Sequence, residues 1–292
     1  MSIIRKLSVP FMFAVALTAI VSTTQAEIVY DSISSPEPYN LPSLGYQATS
    51  TQEFGDHIQL GGSARALSSI RVGMSNWAVK STYLDGNDVP LPAYSHVTMD
   101  ASGYEHDLTL NLYGVNTGGP TPTLGSLIGT KTVTASVPWR PENQGIGQPW
   151  LAPNGSTYNG IFFTVDFDLS ADGITLPEEF VVALAFDTNT HGYDPINQNG
   201  PYESLNFALG SSPAEPTIGS DADVDGAFWN TSHGPFYADG GAGGVSVLRF
   251  DTVWSPYTPA LEINAVPEPA SLALLGLGGL GLFVVRRRQR NA

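Results

Sequence analysis

Residues 160–170 read GIFFTVDFDLS, and the spacing of their side chains separates strand from helix. In an extended chain Ile161, Phe163, Val165, Phe167 and Leu169 share one face, while Thr164, Asp166 and Asp168 share the other. A helix would spread the same residues over all sides, so the stretch is predicted to be a strand with one dry and one wet face. HDLTLNLYGV (106–115) repeats the pattern with Leu108, Leu110 and Leu112, and LSSIRVGMSNWAV (67–79) repeats it with Ile70, Val72 and Met74. EFVVALAFD (179–187) is apolar almost throughout, as a central strand covered on both faces would be. Further strands are predicted at 28–33, 53–60, 127–137, 204–209, 245–250 and 259–265. Gly, Pro, Asn and Asp lie between these runs, and no long amphipathic helix is present. The expectation is an all-β fold: a single antiparallel β-sandwich, jelly-roll-like, in one domain over 27–265.

The two ends read differently. MSIIRK carries Arg5 and Lys6, the apolar run VPFMFAVALTAIV follows, and the segment closes on Thr24, Gln25 and Ala26. This is the pattern of a signal peptide over 1–26, removed by signal peptidase to leave Glu27 first. At the other end Ala270 to Val285 is uncharged and is followed by Arg286, Arg287, Arg288 and Arg290. As a helix the run would cover about 24 Å, a little short of the hydrocarbon core. A short transmembrane helix is therefore predicted, with its arginines on the cytoplasmic side and everything before Val266 outside. That places an inner-membrane intermediate, with the mature domain periplasmic, on the cell surface or extracellular.

Charge and cysteine usage narrow the partners. Of the 12 Lys and Arg, six lie in the terminal segments; Arg65, Arg71, Lys80, Lys131, Arg140 and Arg249 remain against 26 acidic residues in 27–265. A net charge of about −20 makes nucleic acid and anionic membrane poor partners and favours cations or neutral glycans. There is no cysteine, so disulfides and thiolate zinc sites are excluded and the core must carry the stability.

Val266, Pro267, Glu268, Pro269, Ala270 and Ser271, the Gly/Leu-rich apolar run and the arginine cluster together resemble the tripartite PEP-CTERM sorting signal of exported bacterial proteins. The resemblance covers 266–292. It implies a Gram-negative, exopolysaccharide-producing source and an exosortase-type membrane protease that cuts near Pro267-Glu268-Pro269. The prolines keep that segment extended, as a protease groove requires. PSLGYQATSTQEFGDHIQL (42–60), LSSIRVGMSNWA (67–78) and FWNTSHGPFYADGGAGG (228–244) are similar to choice-of-anchor domains. That likeness implies architecture and placement rather than a reaction.

Motifs for chemistry are sparse. His57, His96, His106, His191 and His233 form no H-E-x-x-H motif, and no G-x-S-x-G occurs. YEHD (104–107) puts Glu105, His106 and Asp107 in sequence, but strand neighbours point to opposite faces. A glycosidase would need two opposed carboxylates, which 26 acids neither mark nor exclude. SDADVDGAFWN (220–230) places Asp221, Asp223 and Asp225 before Gly226, like the first half of an EF-hand loop; Ser232 stands where a bidentate Glu is wanted. The segment reads first as an Asx-rich solvated turn; the alternative is a looser Ca²⁺ site on these three aspartates with a loop carbonyl or a distant acid, and no other cofactor is indicated. ADGGAGGVSVLRF (238–250) lacks the lysine and helix of a phosphate loop. Trp139, Trp150 and Tyr158 in PWRPENQGIGQPWLAPNGSTY (138–158), with Trp229, are candidates for stacking on sugar rings; Tyr193, Tyr202, Phe236 and Tyr237 also fall in loops. The competing reading is that such rings pin loops to the core. The sequence thus predicts no enzyme but an exported surface or matrix protein, processed by an exosortase and associated with exopolysaccharide or biofilm. The alternatives are a carbohydrate-binding adhesive module, Ca²⁺-dependent, and, third, a secreted polysaccharide hydrolase.

Overall fold

A computed structural model describes residues 25–145, 147–210, 216–255 and 257–267. The predicted signal peptide, but for its last two residues, lies outside them. So does the sorting signal from Glu268 onward, with its predicted helix and Arg286, Arg287, Arg288 and Arg290. Among the described residues no helix is long and apolar enough to cross a membrane.

In chain order the strands are β1 (Glu27–Asp31), β2 (Ser43–Gly45), β3 (Thr51–Gln59) and β4 (Ala66–Asn76). Next come β5 (Gly103–Asn116), β6 (Thr123–Pro138), β7 (Trp150–Leu151) and β8 (Thr157–Tyr158). They are followed by β9 (Ile161–Asp168), β10 (Glu179–Ala185), β11 (Leu205–Gly210) and β12 (Ser220–Asp221). The last four are β13 (Gly226–Thr231), β14 (Arg249–Thr252), β15 (Thr258–Pro259) and β16 (Leu261–Val266). Helix is confined to short turns, so the described fold is all-β.

Two large sheets hold these strands, except β7 and β8, which pair with each other as a separate ribbon. The first runs β1-β16-β4-β11-β15, with β2 added to β11 and β9 to β4. The second runs β14-β13-β3-β10-β5-β6, with β12 added to β3. Every pairing between the named strands is antiparallel. One apolar cluster draws on both sheets, joining Ile70, Val72, Phe167, Phe207 and Ile263 of the first to Phe54, Ile58, Leu110, Phe180 and Leu184 of the second. Phe54 meets Phe207 edge-on at 6.2 Å, and each such ring removed from water contributes about 1.5–3 kcal/mol.

The period-two reading of 160–170 holds in β9. Val165, Phe167 and Leu169 enter the shared core, and Asp166 and Asp168 face water. On that wet face Arg71 of β4 donates to Asp166 at 2.9 Å. Phe162, on the opposite face from its apolar neighbours, is also buried, in a second cluster with Ile33, Leu41, Ala208 and Ala260. The start of β9 is therefore dry on both sides. β10 is covered on both faces as predicted: Phe180, Val182 and Leu184 point into the main core, and Val181 and Ala183 pack with Phe228 and Leu248.

The strand predicted at 245–250 is corrected to Arg249–Thr252. Gly244 and Ser246 adopt positive φ, which breaks the extended path, so pairing with β13 begins only at Arg249.

Glu53, Asp56 and Asp251 are buried carboxyls among the described residues, and Asp56 is covered completely. Asp56 lies on the core side of β3 and accepts the His57 amide at 2.9 Å. Burial first, and the Asp221 charge second, push its pKa well above the carboxylate range, with the Thr258 hydroxyl and the His57 amide opposing. An acid whose folded pKa is raised stabilises the fold fully below its unfolded pKa, and that contribution is lost as pH rises toward the folded value. Asp56→Asn, which cannot ionise, is expected to raise stability at pH 7–8 by about 1–2 kcal/mol. Thermal melts of both proteins across pH 4–8 check this; a variant that melts below wild type at pH 8 would overturn it.

Candidate functional site

The carboxy-terminal strand carries the residues that lead into the sorting motif. In β16 Leu261, Ile263 and Ala265 are buried and alternate with half-buried Glu262, Asn264 and Val266. The strand sits between β1 and β4: Ala265 pairs with Glu27 on one side and Leu67 on the other, and Val266 pairs with Ala66. Pro267, next in line, has no amide hydrogen to donate and ends the ladder. Beside this strand end the Glu27 carboxylate accepts the Ala64 amide at 3.1 Å. Arg65 folds over the adjoining loop and donates to the carbonyls of Gly61, Gly62 and Ala64.

The three aspartates considered for calcium lie in β12 and the turn that follows it. Asp221 lies in β12 and accepts the Asp223 amide at 2.9 Å, making a local turn. The Asp223 carboxylate turns to His57, with 2.5 Å from Oδ2 to Nδ1, and the other ring nitrogen stands 3.4 Å from Glu179 Oε2. Asp225 contributes its backbone carbonyl to the Trp254 amide. Among the described residues no group of three or more His, Cys, Asp or Glu is placed to hold a metal ion. Asp221, Asp223 and Asp225 are thus spread by strand pairing and by a buried imidazole. His57, Glu179, Asp221 and Asp223 line a cavity of about 350 Å³. His57 and Asp223 are 166 positions apart, and no local pattern links them.

The aromatic candidates are also redistributed. Trp139, Trp150 and Trp229 are 9%, 5% and 4% exposed. Trp139 stacks on Tyr83 at 5.6 Å and donates to the Asp100 carbonyl. Trp150 donates to the Gly160 carbonyl, and Trp229 to the Thr51 hydroxyl. Their ring faces and N–H groups are used inside the protein, so these three give no open surface for a sugar. Tyr158 is half-buried beside Trp150 and Tyr39. The most exposed indole among the described residues is Trp77, 43% exposed, whose N–H meets Ser75 Oγ; Ser75 in turn donates to Asn40. Trp77 was hidden at the end of an alternating run, and period two alone does not say that its face is left uncovered.

Glu105 and Asp107 are exposed while His106 is buried, as strand alternation predicts. His106 Nε2 donates to the Asp187 carbonyl at 2.9 Å, and the ring stacks on Tyr202 at 5.3 Å. Burial lowers its pKa to about 4, against weaker raising effects from the Asp187 carbonyl and the Asp107 charge. The ring is therefore neutral near pH 7. It borders a cavity of about 440 Å³ shared with His96, Asp187 and Tyr202.

Residues 265–288 match the family model of the PEP-CTERM protein-sorting motif. The match begins inside β16, at the residue paired with Glu27. No curated protein and no solved structure matches the chain. The sorting motif implies an exported, membrane-transiting protein processed by an exosortase.

Proposed function

We propose that the chain is an exported, non-catalytic surface or matrix protein whose domain over 27–265 is an antiparallel β-sandwich of jelly-roll, choice-of-anchor type. A signal peptide over 1–26 starts its export. A short helix with cytoplasmic arginines then holds it until an exosortase-type protease cuts near Pro267-Glu268-Pro269 and the domain joins exopolysaccharide or biofilm. The observation that carries this reading is the sorting-motif match, which begins inside a strand already locked in a sheet. The core shared by the two sheets supports the sandwich. Intact-mass analysis of the protein from its own host, with the cell fraction recorded, tests the proposal. The expected product starts at Glu27 and ends close to Pro269; a membrane-bound chain that keeps 270–292 overturns the sorting step.

A second reading, a carbohydrate-binding module, is favoured by the exposed Trp77, whose N–H leads through the Ser75 hydroxyl to the Asn40 side chain, and by the exposed Tyr39 beside Tyr158. Aromatic faces flanked by such groups suit neutral sugar rings.

A further inference from the structure

β16 passes into the sorting motif without a linker. Val266 is still in register with Ala66, and only Pro267, Glu268 and Pro269 separate it from the uncharged run that starts at Ala270. Three residues reach at most about 10 Å. Because β1 and β16 are antiparallel, Glu27 pairs with Ala265 at the same end of the ladder. The segments preceding Glu27 and following Val266 therefore leave the domain side by side.

Resting on the sorting reading above, we propose that this end of the domain is the surface that faces the lipid headgroups during sorting. It comprises Glu27, the loop 61–65, Ala66, and Thr175, which bridges to Ala66. The protease gains the Pro267–Pro269 segment when the last residues of β16 leave β4. The occupant follows from tether length: with about 10 Å of chain, no other end of the domain can reach the bilayer. The opposite end of β4, at Asn76, lies about 33 Å away.

Charge agrees with a contact that is held and then lost. The domain carries an excess of acid, so an anionic surface repels it once the tether is cut. At the tethered end Arg65 has no carboxylate within ion-pair distance among the described residues, since its contacts there are backbone carbonyls. Its guanidinium is partly exposed and suited to a lipid phosphate. Val266 and Ala265 are held on β4, and Ala265 on β1 as well, so a protease groove that needs an extended chain competes with the sheet for them.

Two measurements in the native host test this on the full chain. A flexible Gly-Ser spacer inserted between Val266 and Pro267, adding about 20 Å of reach, is expected to raise the cleavage rate in a pulse-chase severalfold. The chain has no cysteine, so Ser63→Cys and Asn154→Cys each report one place. In spheroplasts a membrane-impermeant maleimide is expected to label position 63 slowly before cleavage and freely after it, and position 154 equally in both forms. An unchanged rate with the spacer overturns strand release, and equal labelling at 63 before and after cleavage overturns the membrane-facing surface. If neither chain is cut, the sorting reading itself fails and this inference fails with it.

Discussion

Truncating Trp229 to alanine is expected to lower the unfolding free energy by about 3–5 kcal/mol, the range for removing a large aromatic from a packed core. The indole stands edge-on to Trp254 at 4.9 Å and to Phe54 at 6.5 Å, and Tyr237 closes a third side at 5.6 Å. Its N–H donates to Thr51 Oγ1 at 2.8 Å, so the change leaves a cavity and removes one hydrogen bond from a buried hydroxyl that keeps its contact with Thr49. Domains of this size have net stabilities of about 5–15 kcal/mol, so the loss takes a large share of the margin. Urea unfolding of the purified protein measures it, with Trp77→Ala as the surface reference expected to stay within about 0.5 kcal/mol. A loss at Trp229 as small as the reference would mean that the ring is not a core element, and the sugar-stacking reading of Trp229 would return.

Acidification from pH 6.5 to 4 is expected to weaken the fold through His106 by about 3 kcal/mol in the limit. The folded ring has its pKa lowered from 6.5 to about 4, chiefly by burial. Between those values the unfolded chain binds a proton that the folded chain does not, so stability falls as pH falls, and the loss is complete once pH is below the folded value. Asp56 acts with the opposite sign in part of this window, because its raised pKa favours the fold as pH falls. The His106 contribution is therefore read as the difference between wild type and His106→Gln. Thermal melts from pH 4 to 7 should show a steeper acid decline in wild type than in the variant. Parallel curves would remove His106 as the cause.

Local repetition made much of the fold legible. A strand exposes alternate residues to alternate sides whatever it pairs with, so GIFFTVDFDLS and HDLTLNLYGV disclosed β9 and β5, and the unbroken apolar run of EFVVALAFD disclosed a covered central strand. The failure at 245–248 has a local cause: Gly244 and Ser246 turn the backbone through positive φ before Arg249 can pair. The sites were less legible. Alternate aspartates at 221, 223 and 225 look alike whether they meet a cation or an imidazole, and His57 approaches Asp223 only because β3 pairs with β12. A loop tryptophan likewise carries no mark of whether its face is covered, and Trp139, Trp150 and Trp229 all proved covered.

By itself the sequence determined the β-rich class, the acidic, cysteine-free character and the sorting motif, since each is written in adjacent residues or in composition. Tertiary structure alone decided that Glu27 lies beside Ala265, that Phe162 joins a second apolar cluster, and that three tryptophans face inward. The physical reason is the same in each case. Period two follows from backbone geometry within one strand, whereas burial and partnership follow from which distant strand or loop lies across it, and that is fixed only when the sheets close on their common core.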